Sequence, residues 1–168
     1  YRILKLTEYV AEFGALGKDE AGEPPCEAWS YPSVVGMMMY LAANTRPDIS
    51  FAVHQCARFT HFPKKTHEDA IYWICHYLQG TKEKGVRFKP DGLKLDCYVD
   101  ADFAGLYNIE DSQDPVCVKS RTGYCLTLGS CPLIWVSKLQ TEVALSTTEA
   151  EYIALLQSMR DLIPMRRL

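Results

Sequence analysis

The chain has 168 residues, of which 48% are hydrophobic and 23% are charged, and its formal net charge is −3. These values are typical of a globular protein rather than a disordered one. The negative charge argues against a free-standing nucleic-acid-binding protein of high affinity, which would normally carry a basic surplus. No apolar run is long enough to cross a membrane, and the first residues lack the apolar core of a signal peptide.

The cysteines and histidines do not follow a metal-binding or disulfide pattern. Seven cysteines are an odd number, and none forms a Cys-x-x-Cys pair. This usage predicts neither a disulfide framework nor a zinc site. The four histidines have no mutual spacing that suggests metal ligation, and His54 and His76 fall within helical patterns, where packing or surface roles are expected.

The first half of the chain is predicted to be helical. Residues 1–30 are weakly patterned, with a short amphipathic piece at 3–13 and then a loop rich in glycine and proline. Three helices are predicted to follow, over residues 33–43, 47–59 and 66–80. Ser33 is a good N-cap for the first, and Pro47 suits the first turn of the second. Thr66 and Asp69 resemble a capping arrangement for the third.

From Val86 onwards the hydrophobic period changes to two, which is typical of β-strands. The alternation predicts one hairpin with strands 86–88 and 93–99 around a turn at 89–92. It predicts a second with strands 122–128 and 133–136 around a turn at 129–132. A last helix is predicted to begin at Ser146, which can form a capping box with Glu149.

Acidic residues stand at the end of the predicted strand and near the start of the last helix. Asp100 and Asp102 are two positions apart, so on a strand they share a face. An isolated pair of this kind is more simply explained by exposure to water. A strand-end aspartate that faces a helix glutamate is, however, a plausible site for Mg²⁺, which prefers oxygen ligands.

Two glutamates near the start of the helix could supply that ligand. Glu149 belongs to the capping box, which gives it a structural role. Glu151 lies roughly 200° around the helix from it. It stands at one edge of an apolar arc, flanked by small residues that let a helix approach a sheet closely. The arc consists of Tyr152, Leu155, Leu156 and Met159. We therefore predict that Glu151, rather than Glu149, faces the metal.

Several collinear segments resemble one known family. Residues 99–105, 120–124, 135–140 and 146–155 strongly resemble the ribonuclease H region of copia-type retrotransposon Pol polyproteins. Residues 31–41, 45–49 and 77–81 resemble the tail of the same family's reverse transcriptase and its link to ribonuclease H. The resemblance covers about residues 31–168, and four or more motifs in the same order make it far more specific than a single Asp-x-Asp.

The resemblance implies an α/β (α+β) fold of the ribonuclease H-like kind. Its sheet would be mixed, with the first three strands antiparallel and a helix packed on it. The chain would then divide into a loop-rich polymerase tail at 1–30, a helical reverse transcriptase connection or thumb segment at 31–82, and a ribonuclease H-like domain at 83–168. That last domain would be incomplete, truncated at its C-terminus.

The resemblance also implies an activity, the hydrolysis of RNA in an RNA–DNA hybrid with two Mg²⁺ ions, which Mn²⁺ could replace. It implies that Asp100 bridges the metals and that Glu151 is the second ligand, both being catalytic. Asp102 is expected to face the substrate or to add a ligand. Contacts to the substrate are expected from Lys119, Ser120, Arg121 and Lys138. The implied partners are the hybrid and the rest of the Pol polyprotein, with no membrane. The implied location is the cytoplasm, in a virus-like particle, or alternatively the nucleus.

Three departures from the family leave the function open. The third metal carboxylate, an Asp-Asn pair on a strand after the helix, would fall beyond Leu168. The polymerase's Tyr-Val-Asp-Asp is absent. The loop between Gly105 and Ser120 is longer and more acidic than usual, and is expected to project away. The chain is thus either part of a hybrid-cleaving Pol polyprotein or a truncated relic or hybrid-binding module. Alone, it is expected to be inactive. An unrelated α+β protein with a chance Asp-x-Asp is the least favoured reading.

Overall fold

A computed structural model describes residues 16–26, 28–107 and 114–167. The chain forms two compact units, Tyr1–Gly85 and Val86–Leu168, whereas the sequence placed the boundary between residues 82 and 83. The amphipathic piece predicted at 3–13 and most of the acidic loop after Gly105 lie outside the described residues. Within the described ranges, no helix combines the length and the apolar character needed to cross a membrane.

The first unit contains three α-helices. These are α1 (Tyr31–Asn44), α2 (Ser50–Ala57) and α3 (Lys65–Gly80), with a short 3₁₀ turn at Pro47–Ile49. All three predicted helices are present, although the second divides into the 3₁₀ turn and α2. The helices bury one apolar cluster that includes Val35, Met38, Ile49, Val53, Ile71 and Ile74. These residues recur at helical spacing, so each helix turns a single apolar stripe towards the shared core.

The start of α3 differs from the prediction. The N-cap is Lys64, and the side chain of His67 accepts the hydrogen bond of the Lys64 backbone N–H at its Nδ1 (2.8 Å). The other ring nitrogen, Nε2, lies 2.7 Å from the carbonyl oxygen of Gly17. Thr66 instead donates its hydroxyl to Asp19 (2.7 Å). The predicted Thr66–Asp69 cap was therefore wrong, because a buried histidine takes over the capping role.

A buried hydrogen-bond network joins the end of α3 to the 3₁₀ turn. The Arg46 side chain, 6% exposed, donates to both carboxylate oxygens of Asp48 (2.7 and 2.9 Å). It also donates to the backbone carbonyl and hydroxyl of Thr81 (3.1 and 2.7 Å). Tyr77 donates its hydroxyl to Asp48 (2.8 Å). The hydrogen bond from Arg46 lowers the pKa of Asp48. The segments 45–49 and 77–81, which the sequence singled out separately, thus form one structural unit.

The second unit consists of a three-stranded sheet and a helix. The strands are β1 (Leu95–Asp102), β2 (Arg121–Leu128) and β3 (Cys131–Leu139), antiparallel and in the order β1-β2-β3. The helix α4 (Thr147–Met165) packs against β1 and β2. The chain is therefore α+β, with the first three strands antiparallel as predicted. A parallel strand that would make the sheet mixed does not occur among the described residues.

Only one of the two predicted hairpins forms. The β2–β3 hairpin is confirmed, with a two-residue turn at Gly129 and Ser130, both at positive φ (48° and 64°), as tight hairpin turns require. The hairpin predicted for residues 86–99 was wrong. The backbone N–H of Asp91 bonds to the carbonyl of Gly129 (3.1 Å), and that of Lys89 to the Cys131 sulfur (3.1 Å). The segment before β1 is thereby held at the β2–β3 turn, and β1 pairs with β2.

The helix α4 turns its smallest residues towards the sheet. Ala150, Ala154 and Ser158 are fully buried, and their spacing of four places them on one face. The apolar arc that flanks them is largely exposed: Tyr152 is 68% and Leu156 is 60% accessible. Small side chains allow the close approach that the sequence predicted, because a bulky residue on this face would push the helix away from β1 and β2.

Candidate functional site

The two aspartates of the candidate site lie at the end of β1. Asp100 is paired across the sheet with Gly123, and Asp102 with Arg121. Both aspartates are exposed, and because side chains alternate along a strand, both lie on one face, with Val99 and Ala101 on the other. The predicted placement of Asp100 and Asp102 on a common strand face follows directly from this register.

Asp102 has a local structural contact that the sequence did not indicate. Its carboxylate folds over Gly105 in the turn that follows β1, so closely that a Cβ atom on Gly105 would collide with it. The same turn holds Ala104 at a positive φ of 48°. Asp102 therefore helps to shape the turn, a common role for an aspartate at a strand end.

The start of α4 confirms the predicted capping box. The Ser146 hydroxyl accepts the backbone N–H of Glu149 at 3.1 Å. In return, the Glu149 carboxylate accepts a backbone N–H at 2.7 Å, although the donor is Leu145, one residue before the N-cap. Ser146 thereby satisfies an N–H of the first helical turn, and Glu149 binds the N–H of the residue just before the N-cap. Glu149 is thus a capping residue.

Glu151 lies on a different side of the helix, beside β1. It lines a shallow groove of about 360 Å³ together with Val99, Thr148, Tyr152 and Leu155. Val99 directly precedes Asp100 in β1. The groove thus lies on the Val99 face of β1, opposite the face on which strand alternation places the Asp100 side chain, while Glu149 is engaged in the cap.

The side chains at this end of the second unit meet only some of the requirements of a Mg²⁺ site. Asp100 and Glu151 are exposed carboxylates, and Mg²⁺ is typically bound by one or two carboxylates together with water and phosphate oxygens. Across the described ranges, however, no group of three or more His, Cys, Asp or Glu side chains is arranged to hold a metal ion. The described residues thus include exposed carboxylates of the right chemistry, but they are not gathered into a metal centre.

The residues expected to contact substrate differ in their exposure. Ser120 is fully buried and Arg121 is only 7% exposed. The Ser120 hydroxyl accepts the backbone N–H of Ala104 at 3.2 Å. Direct contact of these two side chains with a nucleic acid does not fit their burial. Lys119 is half-buried and Lys138 is exposed, so they remain accessible to a phosphate backbone.

Gln140 is a buried polar residue to which the sequence assigned no role. It is 1% exposed, and its side-chain Nε2 donates to the backbone carbonyl of Ala150 (2.9 Å) and to the hydroxyl of Thr122 (3.1 Å). It belongs to the segment 135–140 that carries part of the family resemblance. The sequence signal that could have identified Gln140 is a long amide side chain directly after an apolar strand, where the chain turns towards the helix.

Similar proteins support one family. The chain is 43% identical over 137 residues to the retrovirus-related Pol polyprotein from transposon TNT 1-94 of Nicotiana tabacum, which covers 82% of this chain and 10% of that protein. It is 44% identical over 123 residues to the retrovirus-related Pol polyprotein from transposon RE1 of Arabidopsis thaliana. That match covers 73% of this chain and 8% of the polyprotein.

A shorter relative matches over most of its own length. The secreted RxLR effector protein 161 of Plasmopara viticola is 39% identical over 134 residues, which is 79% of this chain and 89% of that protein. By contrast, the chain spans a tenth or less of the two Pol polyproteins. No protein-family model and no solved structure matches it. On the identities to the plant polyproteins, the chain belongs to the Pol polyproteins of copia-type retrotransposons.

Proposed function

We propose that residues 86–167 belong to a ribonuclease H domain, which hydrolyses the RNA strand of RNA–DNA hybrids within a copia-type Pol polyprotein. The observation that carries the proposal is that Glu151 lies outside the helix cap and beside β1, in a groove with Val99, on a chain that is 43% identical to a Pol polyprotein of a transposon. Two carboxylates from a strand end and a helix start, on a chain of this family, fit the residues that the resemblance implies for this reaction.

The proposed roles of the side chains follow from their charge and exposure. Asp100 and Glu151 would hold Mg²⁺, or Mn²⁺ with the same oxygen ligands. When bound, such ions supply an activated water and stabilise the charge on the leaving oxygen. Lys119 and Lys138 would contact phosphates of the hybrid, since both are accessible. Ser120 and Arg121 would support the end of β1 from inside the fold.

We further propose that the first unit is the connection segment of the reverse transcriptase. Its support is the buried network of Arg46, Asp48, Tyr77 and Thr81, which unites the two segments that resemble this part of the family. A helical segment held together by such a network would serve as a spacer between a polymerase and a nuclease. The rest of the Pol polyprotein is then the partner, in the cytoplasm within a virus-like particle, or in the nucleus.

A second candidate function is a module that binds the hybrid without cleaving it. It is favoured by the lack of a three-ligand metal group among residues 16–26, 28–107 and 114–167. A clamp of two ions needs more ligands than Asp100 and Glu151 provide. In this case the exposed lysines would retain a function while the carboxylates would not.

Cleavage of a labelled RNA–DNA hybrid, with and without Mg²⁺, tests the proposal in a Pol chain that contains the second unit with its natural flanking sequence. Asp100→Asn should abolish cleavage, because the amide removes the charge that attracts the cation. Asp96→Asn is the matched control: it lies on the same strand, and its half-buried carboxylate pairs with the exposed Lys94 (2.9 Å). Undiminished cleavage by Asp100→Asn would refute the proposal. Tight hybrid binding by the wild type without cleavage would favour the second candidate.

A further inference from the structure

We propose that Gln140 is a positioning residue that fixes the turn of α4 carrying Glu151 relative to the end of β1. The proposal rests on the function proposed above, and it concerns a residue that touches neither substrate nor metal. It is carried by hydrogen bonds that connect Gln140 with Ala150 in the helix, with Thr122 in β2 and with Ser120 just before β2.

The first of these bonds holds the helix. Gln140 Nε2 donates to the carbonyl oxygen of Ala150 at 2.9 Å, and Ala150, the residue before Glu151, is fully buried. A carbonyl oxygen can only accept, so the amide nitrogen must face it. The bond therefore fixes the first turn of α4 immediately next to the candidate ligand.

The second bond reaches the strand next to β1. The same Nε2 donates to the Thr122 hydroxyl at 3.1 Å, and Thr122 is paired across the sheet with Ala101, between Asp100 and Asp102. A single side chain thus links the turn that carries Glu151 to the strand position opposite Ala101, the residue after Asp100. Any rotation or shift of α4 about its first turn would stretch one of the two bonds.

The backbone of Gln140 adds a third connection. Its N–H donates to the carbonyl of Ser120 at 2.8 Å, and the Ser120 hydroxyl accepts the N–H of Ala104, just beyond β1. Ser120, Thr122 and Gln140 are all at most 1% exposed. Buried hydrogen bonds of this kind are geometrically specific, because a displaced partner inside the fold cannot be replaced by water.

The amide is not an efficient stabilising group in this position. Its Oε1 is buried and has no hydrogen-bond partner within the described part of the chain, and an unsatisfied buried acceptor is costly. An apolar side chain would avoid that cost but could not hold Ala150. The two donor bonds, rather than the burial, are therefore what Gln140 contributes, and they act on the alignment of α4 with β1.

Two measurements on the whole 168-residue chain test the inference. The affinity for Mn²⁺ is obtained from the electron paramagnetic resonance signal of the free ion, and the local order of α4 from amide hydrogen exchange at residues 149–153. Gln140→Met keeps the length of the side chain and removes both donors. It should weaken Mn²⁺ binding about tenfold, the size typical of lost supporting contacts around metal ligands, and accelerate exchange at residues 149–153.

Tyr124→Phe is the matched control, since Tyr124 donates to Asp161 (2.6 Å) from the same sheet towards the other end of α4. It should lower the stability of the fold while leaving Mn²⁺ affinity within about twofold, because outer contacts matter only where they orient a ligand. Equal loss of affinity in both variants, or unchanged exchange at residues 149–153 in Gln140→Met, would overturn the inference.

Should Gln140→Met not fold, Thr122→Val removes one of the two bonds. It should accelerate the same amides to a smaller degree, and unchanged exchange would again overturn the inference.

Failure of the proposed function is separable from failure of this inference. If the wild type does not bind Mn²⁺, or if Asp100→Asn binds it equally well, the metal site is wrong. Hydrogen exchange at residues 149–153 then still decides whether Gln140 fixes this turn, because it is measured without any metal.

Discussion

The carboxylate of Glu149 accepts a hydrogen bond from the backbone N–H of Leu145 at 2.7 Å. That bond turns Glu149 back along the chain, away from the groove in which Glu151 lies with Val99. Two glutamates separated by one residue therefore have different tasks: the first closes the helix end, and the second is available for a ligand.

The two glutamates should respond differently to the same substitution. Glu149→Gln retains an oxygen that can accept from Leu145, so thermal stability and hybrid cleavage by the Pol chain should change little. Glu151→Gln removes the charge at the groove and should reduce cleavage at least about tenfold with an unchanged melting temperature, because Glu151 is exposed. Parallel thermal denaturation and cleavage assays check both. Equal losses, or the reverse order, would exclude Glu151 as the ligand.

The stability of the first unit should depend on the protonation of His67. Its ring is fully buried and stacked on Phe59, with centroids 4.2 Å apart. Burial lowers the pKa of His67 below its usual 6.5, partly opposed by the hydrogen bond to Gly17 and by Asp19. Protonation would also place a proton on Nδ1, where the Lys64 N–H now donates.

The direction of the pH dependence follows from the lowered pKa of His67. Below pH 6.5 the unfolded chain binds the proton more readily than the folded chain. The contribution of His67 to the free energy of unfolding should therefore be fully present above pH 6.5. It should be lost as the pH decreases towards the lowered pKa of the folded state. Urea denaturation between pH 8 and pH 5 measures it. His67→Gln should reduce this pH dependence, whereas His76→Gln, at an exposed position, should leave it intact. An unchanged slope in His67→Gln would contradict the assignment.

The Arg46 network should be a major source of stability in the first unit. Arg46→Met would leave Asp48 without its ion pair and Thr81 without two donors. Breaking such a buried pair typically costs about 3 kcal/mol, and the partial exposure of Asp48, 35%, places the expected loss at about 2–3 kcal/mol. Chemical denaturation provides the measurement.

The control for this prediction is an exposed ion pair of the same unit. Asp69→Asn removes the contact with Lys65 on the surface of α3, where an ion pair contributes little to stability because water screens it. A loss in Arg46→Met no larger than that in Asp69→Asn would show that the network is not a stabilising element.

Local signals in the sequence predicted much of the fold. The apolar stripes of α1 to α3 are periodic over two or more turns, and the capping box at Ser146 and the glycine at the β2–β3 turn are complete within a few residues. The first hairpin was wrong because strand pairing is not local. The stretch before β1 alternates like a strand, but its backbone is bound by Gly129 and Cys131, about forty residues on.

Motifs and spacing within single elements were enough to predict the family, the candidate acids Asp100 and Glu151, and the separation of Glu149 from Glu151. Which polar residues are accessible depended on how the elements pack together. The resemblance implied that Ser120 and Arg121 contact the substrate, yet the packing around the end of β1 buries both. Likewise, Gln140 acquires a role only when the folded chain brings Ala150 and Thr122 to its amide. Burial and long-range hydrogen bonds depend on residues that are distant in the chain, and no local pattern encodes that proximity.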